Sequence, residues 1–306
     1  MRKIARTVLS VALVLGFAAT IVGFLAPWWP AAEILNHFRP FAVIGSGLLL
    51  ALSLAFGFRS LAAWLACLFA ITLALLLLSL LYMAPKDTTA RASLRVVTLN
   101  TWANKAQADA IIRFLEQTQA DIILLQEIDR KDRAAILARL QPIYPQMFFD
   151  QRPQRSPAIL SKQPWLETGV LEPTNDRAVA VWARFEEGGQ AFEVASVHTG
   201  NPFKPEEQAT DIDRLIEFVR SRRGPIIMGG DFNLTPFSWK LTKLAQLTGL
   251  KWAQVFSASW PANRFVPIVL LDHILLDGPF ALVKVEAGSS AGSDHLPVIA
   301  DLHLQK

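Results

Sequence analysis

The chain is almost without cysteine. Its one cysteine, Cys67, lies in a long apolar stretch, so no disulfide can form within the chain. Zinc sites are usually built from several cysteines or from paired histidines on a helix, and the sequence has neither pattern. A disulfide-stabilised scaffold and a typical structural zinc site are therefore both excluded.

Charged residues are missing from three apolar runs near the N-terminus. These runs, at about 7–25, 41–58 and 61–83, contain no Asp, Glu, Lys or Arg, and each is long enough to cross a bilayer as a helix. The sequence thus predicts three transmembrane α-helices within an anchor at 1–85. Ion pathways and pumps commonly need a charge inside the membrane, so a transport role has little support.

The beginning of the first run leaves a second interpretation open. Met1-Arg2-Lys3 followed by an apolar run is also how a cleaved signal peptide begins. This run is long for a signal peptide, however, and two further apolar runs follow it. Three spans therefore remain the expectation for this region.

The basic residues around these runs indicate an orientation. Those that precede the first run or separate the second from the third are Arg2, Lys3, Arg6 and Arg59. Basic loops stay on the cytoplasmic side, so we expect a multi-pass protein of the cell inner or plasma membrane. With three spans, everything after the third is then exported to the periplasmic or extracellular side. Further basic residues soon after the third run reduce this asymmetry.

The rest of the chain is typical of one globular domain, at 94–306, after a linker at 86–93. Apolar strand patterns and amphipathic helix patterns both occur, without an internal repeat or a low-complexity tract. Strands outnumber helices, so we expect mostly antiparallel sheets sandwiched between helices in an α/β architecture. At about 3.3 Å per extended residue, the linker keeps the domain within roughly 26 Å of the membrane.

Polar residues recur where the predicted strands begin or end. They are Asn100, Glu127, His198, Asp231 with Asn233, Asp272 with His273, and Asp294 with His295. Catalytic groups concentrate where loops leave the rigid ends of strands. If these ends meet at one edge, the side chains converge on a single site.

The residue types at these positions suit phosphate ester hydrolysis with a hard divalent cation. Glu127, Asn100 and Asp294 offer oxygen ligands, which favour Mg²⁺, with Mn²⁺ as an alternative, over zinc. Asp231 follows a strand that ends at two glycines, where it can position or deprotonate a water. Asn233, two residues on, can donate to an oxygen on the same face.

The histidines complete this predicted chemistry. His295 can donate to a phosphoryl oxygen, with the Asp272 carboxylate holding its ring and favouring the charged form. Alternation along the strand indicates that His273 points away from Asp272, so we interpret His273 as structural.

Each of these residues also has an ordinary structural explanation. Asp231 with Asn233 can form a turn that caps a helix starting near Pro236. Glu127 can be a solvated strand end, Asn100 a turn former and Asp294 the cap of its own turn. The joint occurrence of all these groups favours the functional interpretation over the separate structural ones.

The same motifs, in this order, resemble the endonuclease/exonuclease/phosphatase superfamily. They are Thr98-Leu99-Asn100, Leu125-Gln126-Glu127, Val197-His198-Thr199, Gly230-Asp231-Phe232-Asn233, Leu271-Asp272-His273-Ile274-Leu275 and Ser293-Asp294-His295-Leu296-Pro297. The resemblance covers essentially all of 94–304. It implies a four-layer α/β sandwich of the deoxyribonuclease I type and Mg²⁺-dependent phosphoester hydrolysis, with a membrane-anchored bacterial layout.

The resemblance also implies roles for individual residues. Glu127 is the principal metal ligand, assisted by Asn100 and Asp294. Asp231 and Asn233 surround the water and the phosphate, and Asp272 pairs with His295. His198 is a second acid or phosphate ligand, and Arg177 matches a phosphate-binding arginine, although a cation at a strand edge is an equally good explanation of Arg177.

Two functions from different classes remain in competition. The first is a membrane-anchored hydrolase acting as a nuclease or other phosphodiesterase, whose substrate is a nucleic acid or a phospholipid. The second is a non-catalytic membrane receptor of the same fold that binds phosphorylated ligands. A receptor is expected to have lost catalytic positions, and this sequence retains them all. Nothing in the sequence indicates an obligate protein partner.

Overall fold

The computed structural model describes residues 1–103, 108–150, 156–171, 178–222, 224–254, 256–263 and 266–305. This described chain divides into two compact units. One contains Met1–Leu81 together with Pro236–Thr242, and the other contains Tyr82–Thr235 with Lys243–Lys306.

The first unit is built from apolar helices. They are α1 (Arg2–Phe24), a 3₁₀ turn (Pro30–Ala32), α2 (Glu33–Asn36), α3 (Arg39–Ala55), α4 (Arg59–Leu78) and a second 3₁₀ turn (Ser79–Tyr82). Leu9, Leu61 and Leu65 form its buried centre. Within this unit the backbone N–H of Trp239 donates to the Glu33 carboxylate at 2.7 Å.

Two helices of this unit satisfy the length and hydropathy of a membrane span. They are Arg2–Phe24 and Arg59–Tyr82, with mean hydropathies of 2.3 and 2.6. Most of the run at 41–58 lies in α3, which ends at Ala55 and has only 17 residues. This helix reaches span length only together with Pro30–Asn36 across a 55° bend. The prediction of three transmembrane helices is therefore supported for two helices, and the third requires a broken span.

The second unit contains two six-stranded sheets. In spatial order, the first sheet contains β11 (Phe280–Ala287), β12 (Val298–Leu304), β1 (Leu94–Asn100), β2 (Ile122–Ile128), β4 (Ser156–Ser161) and β3 (Gln146–Phe149). The second contains β5 (Glu167–Leu171), β6 (Ala180–Glu187), β7 (Gln190–His198), β8 (Ile226–Asp231), β10 (Asp272–Asp277) and β9 (Lys251–Trp252). Among the described strands, β1 with β2 and β7 with β8 are parallel pairs, and the others are antiparallel.

Alternation along the strands explains why the sheets are covered on both faces. Ile122 and Leu124 of β2 belong to the core between the sheets, whereas Ile123 and Leu125 pack against α5 (Ala108–Gln117) and α6 (Arg130–Leu140). A strand buried on both faces shows a continuous apolar run, as this one does.

A helix also covers the second sheet. On α7 (Pro205–Ser221), Ile212, Leu215, Ile216 and Val219 are buried, as their spacing predicts, and the Phe218 ring lies 6.2 Å from that of Trp182 on β6. Helix, sheet, sheet and helix thus form the predicted α/β sandwich. The remaining helix, α8, spans Trp239–Thr248.

The start of the predicted linker is not a free tether. Lys86, the first residue of the linker, forms a β-bridge with Leu282, and Met83, at the end of the third predicted run, forms one with Trp252. The backbone N–H of Asp87 also donates to the Leu282 carbonyl at 3.0 Å. The estimated reach of the linker therefore does not apply to these residues, because they are paired with strands of the second unit.

Candidate active site

Strand register places three predicted site residues in one row. His198 at the end of β7 is opposite Asp231 at the end of β8, and Asp231 is opposite Asp272 at the start of β10. Because side chains alternate along a strand, these residues lie on the same sheet face as Val194, Ile227 and Ile274. Those three apolar residues belong to the core between the sheets. All three side chains therefore project between the two sheets.

The two glycines before Asp231 allow this close packing for different reasons. A Cβ on Gly229 would lie 2.6 Å from Leu124 of the facing sheet. At Gly230 it would lie 1.9 Å from the Val197 carbonyl oxygen, and the φ angle there is 155°. Limited space thus explains Gly229, and both space and backbone conformation explain Gly230.

Asp231 is the centre of the cluster and is 1 % exposed. Its Oδ2 accepts a 2.9 Å hydrogen bond from Asn100 Nδ2 of the first sheet, and its Oδ1 accepts the backbone N–H of Asn233 at 2.8 Å. Burial raises the pKa of Asp231 to about 7, with His295 opposing and Asp272 reinforcing the shift. A carboxyl with this pKa can exchange a proton near neutral pH.

His295 and Asp272 form the predicted pair. His295 Nδ1 lies 2.8 Å from Asp272 Oδ2, and His295 Nε2 lies 3.8 Å from Asp231 Oδ2. Burial alone would lower the pKa of His295, but the carboxylates of Asp272 and Asp231 raise it to about 10. The ring is therefore an imidazolium at neutral pH and a donor at both nitrogens.

Ser293 ties the turn that carries His295 to the first sheet. Its hydroxyl donates to the Asn100 carbonyl at 2.7 Å and accepts the His295 backbone N–H at 3.1 Å. The sequence placed Ser293 in this turn without assigning it a contact.

Glu127 reaches the cluster through an irregularity in its strand. The register between β2 and β4 shifts between Leu125 and Ile128, and Glu127 has a φ of 57°. A β-bulge re-aims the side chains that follow it, and Glu127 Oε1 lies 3.6 Å from His198 Nε2 of the other sheet. Regular alternation would have placed Glu127 on the face of Leu125, which is covered by helices.

Asp294 lies at the more open side of the same cluster. Its Oδ2 accepts a 3.3 Å hydrogen bond from Trp260 Nε1, and its Oδ1 lies 4.0 Å from His295 Nε2. Burial raises the pKa of Asp294, His295 opposes the shift and the Glu127 carboxylate adds to it. Two carboxylates that interact in this way attract a cation.

Two sets of residues are candidates for such an ion, and His295 of the first set could ligate it only as a neutral ring. Asp231, Asp272 and His295 each offer a ligand atom within 4.8 Å of the others. The predicted set of Glu127, Asp294 and Asn100 fits a hard cation by its oxygen donors, and Asp294 Oδ1 is buried without a hydrogen-bond partner among the described residues. The first set is already linked internally by the bond between His295 and Asp272.

The remaining predicted residues differ in outcome. Asn233 donates from Nδ2 to the Thr199 carbonyl at 3.1 Å, so one of its amide hydrogens has a protein partner. Arg177 lies outside the described residues. His273 faces away from the cluster and contacts the Leu234 carbonyl through Nε2 at 2.7 Å, as its structural interpretation predicts.

One further residue at the site was not predicted as such from the sequence. Gln126 is fully buried, and its Nε2 donates to Thr98 at 3.1 Å and to Ser196 at 3.0 Å. It thus connects the two sheets directly beside Glu127. Its role could have been inferred from the sequence, because a polar residue at an inward position of an apolar strand needs a buried hydrogen-bond partner.

The model of the endonuclease/exonuclease/phosphatase family matches residues 97–295, which include every strand-end residue of this cluster. The chain belongs to this family. Members of the family are usually phosphoester hydrolases that use divalent metals, and the family relation is thus consistent with the buried acidic and histidine cluster.

Among proteins of known sequence, the chain is similar to relatives from Vibrio. A UPF0294 protein of Vibrio campbellii is 27 % identical over 160 residues, which are 50 % of this chain and 52 % of the relative. A UPF0294 protein of Vibrio cholerae is 33 % identical over 134 residues, 41 % of this chain and 45 % of the relative. The chain spans about half the length of the curated relatives it matches.

Solved structures of the same fold cover about two thirds of the chain. An endonuclease/exonuclease/phosphatase from Bacteroides vulgatus has a TM-score of 0.59 at 20 % identity, covering 69 % of this chain and 99 % of that one. D. rerio TDP2 complexed with single strand DNA product has a TM-score of 0.56 at 16 % identity, covering 69 % of this chain and 98 % of that one. The human Nocturnin catalytic domain with bound sulfate anion has a TM-score of 0.54 at 17 % identity, covering 69 % of this chain and 94 % of that one. At these identities the similarity shows the fold.

The buried His273 generates a prediction about stability. Burial lowers the pKa of His273 to about 4, whereas the unfolded chain binds its proton near 6.5. The contribution of this neutral histidine is therefore complete above pH 6.5 and is lost as the pH falls from 6.5 towards 4. At pH 5 the loss is on the order of 2 kcal/mol.

The measurement compares the full chain in detergent with its His273→Gln variant, which keeps a donor for the Leu234 carbonyl but does not titrate. We expect the difference in unfolding free energy between the two proteins to change in favour of the variant between pH 7 and pH 5. Parallel pH curves would contradict a depressed pKa at His273.

Proposed function

We propose that this chain is a metal-dependent phosphoester hydrolase whose reaction takes place at Asp231 and His295. The observation that carries the proposal is the chain of contacts from Asp272 through the His295 imidazolium towards Asp231, with Asn100 bonded to the same carboxylate. Family membership supports the same reaction class.

In the proposed reaction the side chains of the site have different roles. Asp231 positions a water and accepts its proton, which its raised pKa allows. His295, held by Asp272, donates a hydrogen bond from Nε2 to a phosphoryl oxygen as negative charge develops there. The second amide hydrogen of Asn233 is assigned to the phosphate, and His198 acts as a second acid or phosphate ligand.

The proposed cation site comprises Glu127, Asp294 and Asn100. Its support is the mutual effect of the two carboxylates and the buried oxygen of Asp294. When bound, Mg²⁺ or Mn²⁺ would neutralise phosphate charge and polarise the phosphorus. Arg177 remains a proposed phosphate contact.

The proposed substrate is a phosphodiester in a nucleic acid or in a phospholipid. A protein of this fold has been solved with a single strand DNA product, which supports the first. Two apolar helices long enough to cross a membrane support the second, because they would bring the domain to lipid headgroups. The two classes are distinguished by assay.

Activity is tested on the detergent-purified full chain with bis-p-nitrophenyl phosphate, plasmid DNA and mixed phospholipid vesicles, with Mg²⁺ or Mn²⁺ and with EDTA. We expect metal-dependent hydrolysis that Asp231→Asn or His295→Gln lowers by about 10²- to 10⁴-fold in kcat, since each removes a proton-transfer or charge-stabilising group. His303→Gln, a histidine of β12 outside the cluster, serves as the matched control and should retain activity.

Two outcomes would contradict this reading. Full turnover by Asp231→Asn would show that Asp231 does not take part in the reaction. Metal binding without hydrolysis of any of the three substrates would instead favour the alternative function, a receptor of the same fold for phosphorylated ligands.

Metal binding separates the two candidate ion sites. We expect Glu127→Gln to weaken Mn²⁺ binding by roughly tenfold or more, because it removes the principal carboxylate ligand. Asp272→Asn should change the affinity by less than about threefold, because Asp272 serves the His295 ring. Electron paramagnetic resonance of free Mn²⁺ measures both. A reversed ranking would place the ion among Asp231, Asp272 and His295.

We also propose that α1, α4 and the bent segment 30–55 cross the inner or plasma membrane, with the catalytic domain on the exported side. Mean hydropathy supports α1 and α4, and Arg2, Lys3, Arg6 and Arg59 support the orientation. An odd number of spans exports the C-terminus, and two spans return it to the cytoplasm. A C-terminal alkaline phosphatase fusion should therefore be active, and activity of a cytoplasmic reporter at that position instead would refute three spans.

A further inference from the structure

Two polar side chains are buried on α7, outside the set of strand-end residues that form the candidate site. Gln208 and Asp211 are each 1 % exposed, and they occupy successive turns near the start of α7. They continue the buried stripe of Ile212 and Leu215 in the direction of the active site. Fully buried amides and carboxylates need hydrogen-bond partners, so the contacts of Gln208 and Asp211 indicate what they do.

Both side chains contact the loop that follows His198. Gln208 Nε2 donates to the Gly200 carbonyl at 2.8 Å, and Asp211 Oδ2 accepts the Gly200 backbone N–H at 2.8 Å. Gly200 is thus held at both of its peptide groups. The same Gln208 Nε2 also donates to the Asn233 carbonyl at 3.1 Å.

Asn233 needs this support because it lies beyond the end of β8. Its φ of 50° is in the left-handed region, which asparagine tolerates but does not prefer. Its side-chain amide donates to the Thr199 carbonyl, and the Thr199 backbone N–H donates to the Asp231 carbonyl at 3.2 Å. The loops after β7 and β8 therefore fix each other, and Gln208 contacts both.

We propose that Gln208 is a positioning residue that sets the orientation of Asn233 towards the substrate phosphate. The inference rests on the proposed function, because Gln208 can position Asn233 for the substrate only if Asn233 contacts the phosphate. Gln208 is suited to this because its amide nitrogen donates two hydrogens to two carbonyls at once. A glutamate of the same shape has no donor when ionised and would face both carbonyl oxygens with negative charge.

The experiment is a double-mutant cycle on the full chain in detergent, with Gln208→Glu and Asn233→Ala, read by hydrolysis of bis-p-nitrophenyl phosphate and by the affinity for inorganic phosphate. Gln208→Glu should lower kcat by about 10- to 100-fold, the range expected from a displaced catalytic group, and should weaken phosphate binding. In the Asn233→Ala background the same change should lower either quantity by less than about twofold, because the pathway through Asn233 is already lost. Gln246→Glu, a matched exchange on α8, should leave both unchanged.

The outcomes are separable. Equal losses in both backgrounds would mean that Gln208 acts on stability alone, and unchanged values in Gln208→Glu would also overturn the proposal. If the glutamate variant does not fold, Gln208→Ala takes its place in the same cycle. An inactive wild type that binds phosphate would contradict the hydrolase function, while the phosphate-binding cycle would still decide the role of Gln208.

Discussion

The hydrogen bond from Asn100 Nδ2 to Asp231 Oδ2 joins the two sheets at the edge where the candidate active site lies. Both residues are 1 % exposed, and a buried carboxylate without partners would cost several kcal/mol. The bond therefore constrains the end of β1 against the end of β8. Since register places His198 and Asp272 on either side of Asp231, this contact also ties the row of three residues to the first sheet.

Electrostatics at this edge follow from the same constraint. Four carboxylates, from Glu127, Asp231, Asp272 and Asp294, share a site with the imidazoles of His198 and His295. The His295 imidazolium balances the charge of Asp272 and lies between that carboxylate and Asp231. Glu127 and Asp294 add further negative charge to the cluster. An excess of acidic oxygen beside a fixed imidazolium is an environment that binds a hard cation and a phosphate together.

Much of this arrangement could be predicted from the sequence because buried strands carry strong apolar patterns. The positions of Asn100, His198, Asp231 and Asp272 follow from where those patterns end. Strands β3 and β5 lie at sheet edges and are mostly half-buried, so they lack the apolar signature of a buried strand, and β9 has only two residues.

Other features depended on contacts that no local pattern reveals. The bulge that turns Glu127 towards His198 depends on the pairing of β2 with β4. The sequence predicts that the Asn233 amide can donate to the phosphate, and its bond to the Thr199 carbonyl depends on the neighbouring loop. Gln208 is a similar case: a helical stripe containing glutamine and aspartate predicts a buried polar contact, but only the fold shows that two site loops are its partners.

Backbone strain in the described chain is concentrated at the site. Of its four non-glycine residues with positive φ, Trp102, Glu127 and Asn233 lie in site motifs or within two residues of one, and Gln119 is the exception. Each of the three is restrained by a side-chain bond to its backbone: Asn100 to the Trp102 N–H, Thr101 to the Glu127 carbonyl and Gln208 to the Asn233 carbonyl. Strained conformations persist only where the surroundings over-determine them. The polar residues beside the proposed catalytic ones therefore have a physical purpose, which is to hold the chain in conformations that the candidate site contains and that the backbone alone would not adopt.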